Sequence, residues 1–398
     1  MDNAALIPDR GRLIVVGGGL AAARTCEEVR KRGFAGDITM LSDEPHAPYD
    51  RPPLSKNTLN RDHDPTLPFS AAALGVHLRL AESAVGLDTE RRSVTTNRSE
   101  IRYDALVIAT GATPIRLPGN GPQLTLRTLD DAQALRGRLT RGSRVILIGA
   151  SWIGAEVATA ALARGAHVTC VEAGPAPSSQ VLGTEAATRL LLPLWSEADL
   201  RLNTAVEEVH ERGVRLLDGT DIPADVVVTG VGARPETAWL ESSGVRIDRG
   251  VLVDEHLRTS VPGVLAVGDV AVRWSPRRQQ RVHAGHWDEA ATGAVVAAQV
   301  LLSRGGDTLA VHDPIPYFWS DQFGHRYQYV GWHRPQDRLI WREHPSGLPT
   351  AAWLADDGRL VGALTVDRPK ELAHARRAIT AGATPDPDSL ADPDVPLS

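Results

Sequence analysis

The fold is decided by residues 13–22, which read Leu-Ile-Val-Val-Gly-Gly-Gly-Leu-Ala-Ala. The four apolar residues predict a parallel strand buried on both faces, and the glycines predict a tight turn into a helix. That helix is expected from Leu20 to Lys31, before Gly33, and Ile38–Leu41 predicts a second strand. Together they form a βαβ unit with the G-x-G-x-x-G/A pattern that is typical of dinucleotide binding.

The same pattern recurs later in the chain. Val145–Ile148 predicts a strand, Gly149–Gly154 a turn and residues 155–164 a helix, before a strand at Val168–Val171 that leads to Glu172. One glycine turn is a weak signal, because any tight strand-to-helix turn favours glycine. Two copies, each with an acidic residue after its second strand, favour two dinucleotide-binding domains over two merely structural turns.

The first turn contains the groups that bind a pyrophosphate. Without side chains, Gly17 and Gly19 let a phosphate approach the backbone. The amides of Leu20, Ala21 and Ala22 open the helix and attract negative charge. We therefore expect a dinucleotide at this turn.

The acidic residues at the two strand ends are expected to bind ribose hydroxyls. Asp43 and Glu44 are alternatives after the first unit, and either is also consistent with a solvated strand end. Glu172 is the candidate after the second unit, where it repels a 2′-phosphate, and residues 173–180 contain no Arg or Lys to neutralise one. This favours NADH over NADPH. Ser151 replaces the middle glycine of this turn, and its hydroxyl is a candidate for a phosphate contact.

Composition narrows the class of protein. The 398 residues include 43 Lys+Arg and 49 Asp+Glu, a net charge of −6 that argues against nucleic-acid binding. The two cysteines, Cys26 and Cys170, are too few for a disulfide framework and are interpreted as small core residues. His283 and His286 are three residues apart, but no third ligand stands at metal-binding spacing, so no metal is expected. Without an apolar run of membrane-spanning length or a signal peptide, we expect a cytoplasmic protein.

Several longer segments carry a family resemblance. Residues 51–56 read Arg-Pro-Pro-Leu-Ser-Lys, and residues 317–322 read Tyr-Phe-Trp-Ser-Asp-Gln. These runs resemble the FAD-dependent NADH:ferredoxin reductases, flavoproteins with two dinucleotide-binding domains that serve bacterial cytochrome P450 and ring-dioxygenase systems. Further matching segments are residues 43–50, 109–114, 126–132, 153–156, 266–269 and 286–290. The resemblance extends from the first strand to about Ala378.

The resemblance implies an α/β fold with two Rossmann-like domains and a C-terminal α+β domain. The FAD-binding domain is expected to be discontinuous, at residues 1–112 and 246–312, with the NAD-binding domain inserted at 113–245. Alternating segments after Ile315 predict an antiparallel sheet in the C-terminal domain, at residues 313–381. The Pro- and Asp-rich residues 382–398 are expected to be disordered.

The resemblance also implies the site residues, with FAD on the first turn and NADH on the second. The expected FAD contacts are Gly17, Gly19, Leu20, Ala21, Ala22, Asp43, Arg51, Lys56, Val85, Ala109, Thr110, Gly111, Arg127, Gly268, Asp269 at the ribityl chain and Trp287 at the pyrimidine end. The expected NADH contacts are Gly149, Ser151, Ile153, Gly154, Glu156, Glu172 and Gly232.

Lys56 is the candidate cation beside the reacting rings. Hydride transfer from NADH develops negative charge on the flavin, and a fixed cation stabilises that charge. Lys56 is one of few lysines in an arginine-rich chain, although an ordinary surface lysine is the alternative. Glu156 is implied as its ion-pair partner. Trp319 is either an electron conductor or gate near the flavin or a core residue.

Electrons are expected to leave the flavin directly, because residues 45–80 contain no cysteine for a thiol relay. The resemblance implies a 2Fe–2S ferredoxin as acceptor, which feeds an oxygenase such as a cytochrome P450. The basic run at residues 273–281, with Arg277, Arg278 and Arg281, is either a docking face for this acidic partner or a solvated loop. Rubredoxin or a quinone as acceptor stays open, as does a redox-sensing flavoprotein similar to apoptosis-inducing factor.

Overall fold

The structure, a computed structural model, describes residues 6–304, 306–345 and 347–397. The strands are β1 (Arg12–Val16), β2 (Asp37–Leu41), β3 (Val76–Arg79), β4 (Ala84–Asp88), β5 (Ser93–Thr96), β6 (Glu100–Arg102), β7 (Ala105–Ile108), β8 (Ala112–Pro114), β9 (Arg144–Ile148), β10 (His167–Val171), β11 (Asp199–Arg201), β12 (Val206–His210), β13 (Gly213–Leu216), β14 (Asp221–Pro223), β15 (Val226–Thr229), β16 (Ala233–Pro235), β17 (Val251–Val253), β18 (Val264–Ala266), β19 (Ala271–Ser275), β20 (Gln280–Val282), β21 (Tyr317–Gln322), β22 (His325–Gly331), β23 (Arg338–Arg342), β24 (Thr350–Leu354) and β25 (Leu360–Val366). The helices are α1 (Leu20–Lys31), α2 (Asn57–Asn60), α3 (Leu129–Arg138), α4 (Trp152–Ala163), α5 (Ser179–Leu182), α6 (Thr184–Leu190), α7 (Trp287–Leu302), α8 (Pro369–Ala381) and α9 (Pro387–Ala391). No helix within the described ranges is both long enough and apolar enough to cross a membrane.

The chain divides into two compact units. The first contains Met1–Asp50, Pro65–Thr113 and Ala233–Pro314, and the second contains Arg51–Asp64, Pro114–Gly232 and Ile315–Ser398. The second unit therefore includes the segment 51–64 and the C-terminal residues as well as the middle of the chain. Arg164 helps to hold this segment, because its guanidinium donates to the carbonyl oxygen of Leu59 at 2.6 Å.

The first unit is built on a parallel five-stranded sheet in the order β18-β7-β1-β2-β3. Its central strands are apolar and buried on both faces, with Val15 and Leu106 fully inaccessible. Helices α1 and α7 pack against each other in this unit. The predicted βαβ unit is confirmed as β1, α1 and β2. The smaller sheets of this unit include β4-β5-β6 and β17-β19-β20.

The second unit contains a parallel sheet in the order β11-β10-β9-β15 and a three-stranded sheet β12-β13-β14. The second predicted βαβ unit is confirmed as β9, α4 and β10. Its C-terminal part is an antiparallel sheet in the order β21-β22-β25-β24-β23, which packs against α8. The predicted fold class, two Rossmann-like units of sheet and helix with a C-terminal α+β part, is confirmed.

The C-terminal tail is folded, and the prediction of disorder for residues 382–398 is wrong for those that the structure describes. Leu390 and Leu397 are each only 2 % exposed. The buried guanidinium of Arg342 donates to the carbonyl oxygens of Leu390 and Val395 and forms an ion pair with Glu371. Two leucines and one buried arginine thus anchor a segment whose low apolar content indicated disorder.

The basic run at residues 273–281 is a β-hairpin rather than the expected loop, because β19 pairs with β20. Arg273 is not available to a partner. Its side chain is 4 % exposed and lies 2.8 Å from both Glu289 Oε1 and Asp313 Oδ1. These two carboxylates compensate the buried charge of Arg273. Arg277 and Arg281, in contrast, are exposed.

Candidate functional site

The first glycine turn lies between β1 and α1 in the first unit. Gly17 has a φ of +135°, and a Cβ there would overlap the carbonyl oxygen of Ala109, so only glycine fits. Gly19 precedes α1 and has open space where its Cβ would be. No side chain caps α1, and its first turn has no acidic residue. The amides that open α1 therefore suit an external anion, as a pyrophosphate requires.

The two alternatives for the ribose-binding acid differ in their surroundings. Glu44 accepts a hydrogen bond of 2.5 Å from the hydroxyl of Tyr49. Asp43 is exposed, and its carboxylate has no hydrogen-bond partner within the described part of the chain. Because Asp43 follows β2, the neighbour of β1, it is the acid that stays available to a ligand at the first turn.

The other FAD-site candidates of the first unit lie mainly at strand ends. Residues 109–111 follow β7, and Gly268 and Asp269 follow β18, so both groups lie at the carboxyl edge of the parallel sheet. Doubly wound sheets bind their ligands at this edge. Trp287 begins α7 and donates its indole N–H to Asp50 at 2.6 Å. Val85 lies in β4, a strand of a different sheet, and is 54 % exposed.

The second glycine turn lies between β9 and α4 in the second unit. Gly149 has a φ of +97°, and a Cβ there would overlap the carbonyl oxygen of Gly230. Ser151 caps α4, because its Oγ accepts a hydrogen bond of 3.2 Å from the amide of Gly154. The hydroxyl proton of Ser151 is still able to donate to a phosphate. Ile153, in the first turn of α4, is 40 % exposed.

Glu172 organises this second turn. Its Oε2 accepts a hydrogen bond of 2.7 Å from the amide of Ala150, and its Oε1 accepts one of 2.6 Å from the amide of Gly174. Each carboxylate oxygen retains a further lone pair for a ligand. Glu172 therefore supports the turn itself while remaining able to accept from ribose hydroxyls. Gly232, another predicted NADH contact, is exposed beyond the end of β15.

Lys56 and Glu156 form a largely buried ion pair in the second unit. Lys56 Nζ lies 2.9 Å from Glu156 Oε1, and the two side chains are 17 % and 2 % exposed. Lys56 follows a 3-10 turn at Pro52–Ser55. Glu156 lies on α4, the helix that the second glycine turn opens. These residues are 100 positions apart in the sequence, and the fold brings them together at the helix that follows the second glycine turn.

Two serines that the sequence analysis missed complete this cluster. The Oγ of Ser55 donates to Glu156 Oε2, and the Oγ of Ser320 donates to Glu156 Oε1 at 2.5 Å. The amide of Asp321 also donates to Oε1, at 3.3 Å. Serine has no local signature for such a role. The available signal was that both serines lie in the two segments that carry the family resemblance.

Trp319 faces away from this cluster. Side chains alternate along β21, so Ser320 faces Glu156 while Trp319 lies on the opposite face of the strand. There Trp319 stacks on Tyr317, with ring centroids 5.9 Å apart, and Arg326 lies over its ring. The structure therefore places Trp319 in an aromatic pair on the face of β21 opposite to Ser320.

Arg51 and Arg127, both predicted FAD contacts, lie together in the second unit. A guanidinium nitrogen of Arg51 donates to the carbonyl oxygen of Arg127 at 2.5 Å. The amide of Arg127 donates to Asp131, which also closes the capping box at the start of α3. The hydrogen bond to Asp131 fixes the backbone of Arg127. The carbonyl oxygen of Arg127 in turn fixes the guanidinium of Arg51.

Neither metal-binding groups nor reactive thiols are found among the described residues. These residues contain no group of three or more His, Cys, Asp and Glu side chains able to hold a metal ion. Cys26 and Cys170 are buried, which confirms their interpretation as core residues. Burial raises the pKa of the Cys26 thiol to about 12, so it is not a nucleophile at neutral pH.

Comparison with known proteins decides the family. Residues 11–294 match the pyridine nucleotide-disulphide oxidoreductase family, and residues 317–398 match the reductase C-terminal domain. The chain belongs to the pyridine nucleotide-disulphide oxidoreductase family. This confirms the predicted resemblance and shows that the protein is an oxidoreductase.

Its relatives match over almost their full length. The chain is 32 % identical over 400 residues to the ferredoxin–NAD(+) reductase component of the p-cumate 2,3-dioxygenase system of Pseudomonas putida, covering 98 % of each chain. It matches the crystal structure of Fdr9 with a TM-score of 0.95 and 56 % identity, covering 97 % of this chain and 99 % of that one. It also matches the covalent putidaredoxin reductase–putidaredoxin complex with a TM-score of 0.90 and 28 % identity, covering 97 % of each chain.

Proposed function

We propose that the protein is a ferredoxin–NAD⁺ reductase that uses FAD and NADH. The observation that carries the proposal is the buried ion pair between Lys56 and Glu156, in a chain of this family. Glu156 lies on α4, the helix that follows the second glycine turn. When bound, FAD supplies the chemistry, since it accepts two electrons as a hydride and returns them one at a time. Relatives that are named ferredoxin reductase components support the acceptor.

The first unit holds FAD in this proposal. The amides that open α1 bind the pyrophosphate, and Asp43 accepts a hydrogen bond from the adenosine ribose. Asp269 accepts from the ribityl chain at the carboxyl edge of the sheet. Trp287, which is fixed by its hydrogen bond to Asp50, would help to hold the flavin ring.

The second unit holds NADH. The amides at the start of α4 attract the pyrophosphate, and the Ser151 hydroxyl donates to it. Glu172 accepts from the ribose hydroxyls and repels the 2′-phosphate of NADPH. The Lys56 ammonium stabilises the negative charge that hydride transfer from the nicotinamide adds to the flavin. Glu156 pairs with that ammonium before hydride transfer.

Electrons then pass directly to a 2Fe–2S ferredoxin, which feeds a terminal oxygenase such as a cytochrome P450 or a ring dioxygenase. Both cysteines are buried, so neither offers a thiol relay. We propose Arg277 and Arg281, exposed on the β19–β20 hairpin, as cations that attract the acidic ferredoxin, with Arg278 half-buried beside them. Because the two cysteines are buried and unpaired, we propose that the protein is cytoplasmic.

A comparison of acceptors tests the proposal. The FAD-loaded protein is given NADH with equal concentrations of a 2Fe–2S ferredoxin, a rubredoxin or a quinone. We expect kcat/KM to be highest for the ferredoxin, to fall with added salt and to fall in the Arg277→Glu/Arg281→Glu variant. Faster reduction of rubredoxin or of the quinone would show that this compound, and not ferredoxin, is the acceptor. Slow transfer to all three, with a change in oligomer size on NADH addition, would support the redox sensor instead.

A further inference from the structure

Glu156 is held by more donors than an ion pair requires. Its Oε1 accepts from Lys56 Nζ at 2.9 Å, from the Ser320 hydroxyl at 2.5 Å and from the amide of Asp321 at 3.3 Å. Its Oε2 accepts from the Ser55 hydroxyl. A carboxylate offers about four acceptor positions, so these donors satisfy it without water.

The two serines are fixed by the elements that carry them. Ser55 ends the 3-10 turn Pro52–Ser55, whose two prolines restrict the backbone. Ser320 lies in β21 on its inward face, where Phe318 and Gln322 are also buried. Glu156 itself is 2 % exposed on α4. Rigid segments of the chain therefore hold the two hydroxyls against Glu156.

Lys56 is the donor that is free to exchange partners. Within the described part of the chain its Nζ makes one hydrogen bond, to Glu156, so two of its three N–H groups are available to a ligand. Its side chain is also the more exposed of the pair, at 17 % against 2 %. If Lys56 were the sole partner of Glu156, separation would leave a buried charge unpaired, which is strongly unfavourable. Three other donors remove that barrier.

We propose that Ser55 and Ser320 are positioning residues for hydride transfer. They hold the Glu156 carboxylate when the Lys56 ammonium leaves it and turns toward the negative charge that develops during the reaction. The two hydroxyls also compete with Lys56 for the carboxylate, and Ser320 does so on the same oxygen atom. This inference deepens the proposed function and rests on it.

The Ser320→Ala variant of the FAD-loaded full chain tests this role. Removal of the hydroxyl leaves Lys56 bound more tightly to Glu156, so its charge stabilises the product less. We expect the rate constant for flavin reduction by NADH to fall about tenfold while KM for NADH stays within about twofold. The midpoint potential of bound FAD should fall by about 30 mV, which corresponds to a tenfold change for a two-electron couple. Ser320→Thr retains the hydroxyl and should restore both values.

The control removes a buried hydroxyl that Glu156 does not use. Thr365 is fully buried in β25, in the same sheet, and its Oγ1 has no hydrogen-bond partner among the described residues. Thr365→Val should change neither the reduction rate nor the FAD potential. Ser55→Ala is the second test variant, with the same expectation as Ser320→Ala, and serves if Ser320→Ala does not fold.

The outcomes separate this inference from the proposed function. An unchanged potential and rate in the folded serine variants, or failure of threonine to restore them, overturns the role of the hydroxyls. In that case an unmodified protein that still binds FAD and oxidises NADH leaves the proposed function standing. If the unmodified protein does neither, the proposed function fails with it.

Discussion

Lys56 Nζ lies 2.9 Å from Glu156 Oε1, although the two residues are 100 positions apart in the sequence. The segment 51–64 reaches this place as part of the second unit. Glu156 lies near the start of α4, so the helix that opens at the second nucleotide turn also carries the anion that holds Lys56. In the proposed function, this helix connects nucleotide recognition with the charge that serves hydride transfer.

Replacing Lys56 by methionine removes that charge while keeping an unbranched side chain that is only one atom shorter. We expect flavin reduction by NADH to slow by about 10²-fold, the effect of losing one preorganised electrostatic contact, with FAD still bound. Stopped-flow absorbance of the flavin measures the rate. Lys31→Met is the control, because the Lys31 side chain is 74 % exposed on α1. An unaltered rate in Lys56→Met would remove this lysine from the mechanism.

Glu172→Ala should weaken the discrimination against NADPH. Loss of the carboxylate removes both the acceptor for the ribose hydroxyls and the repulsion of a 2′-phosphate. It also frees the amides of Ala150 and Gly174, so we expect kcat/KM for NADH to fall as well. The ratio of kcat/KM for NADH to that for NADPH should fall at least about tenfold, with Glu211→Ala as an exposed control. A preserved ratio would contradict the assignment of the second site.

His312 makes the first unit sensitive to acid. Burial, followed by the nearby Arg273 charge, lowers its pKa from 6.5 to about 4. Between these pH values the unfolded chain binds a proton that the folded chain does not, so stability falls as the pH drops from 6.5 to 4. His312→Gln should reduce this loss in the free energy of unfolding by up to about 3 kcal/mol. Melting temperatures measured across this pH range test the expectation. The exposed control His77→Gln should retain the wild-type slope, and equal slopes in all three proteins would refute the assignment.

Arg342→Met should release the C-terminal tail. Its guanidinium donates to Leu390 and Val395 and is paired with Glu371, so its loss leaves a buried carboxylate without its cation and the tail without its anchor. We expect a loss of about 3 kcal/mol in stability and rapid proteolysis after residue 382. Limited proteolysis and thermal melts measure both effects. The control is Arg338→Met, an exposed change on the same strand, which should change neither the stability nor the proteolysis of the tail. A tail that resists proteolysis in Arg342→Met would show that other contacts anchor it.

Local patterns were sufficient to predict the two nucleotide-binding units. Apolar runs such as residues 13–16 match β1 closely, because a parallel strand buried on both faces requires a continuous apolar sequence. Gly17 and Gly149 were recognisable because their positive φ angles leave few alternatives to glycine. The Lys56–Glu156 pairing, in contrast, was implied by family resemblance and not by spacing.

Features that depend on distant partners could not be predicted from local patterns. Arg273 looked like part of a basic surface, but its partner Asp313 lies 40 residues away. The tail looked disordered because it is poor in apolar residues, yet Arg342 supplies the hydrogen bonds that its own sequence lacks. Ser320 was missed because a serine becomes informative only when the fold brings it to a buried carboxylate.

Two-step stopped-flow mixing measures the central claim most directly. The FAD-loaded protein is first reduced with NADH without oxygen and then mixed with a 2Fe–2S ferredoxin, and the absorbance of both centres is recorded. The proposed function predicts that flavin reduction by NADH and the subsequent reduction of ferredoxin each proceed at least as fast as steady-state turnover. A flavin that NADH reduces but that passes no electrons to ferredoxin on the turnover timescale would contradict it.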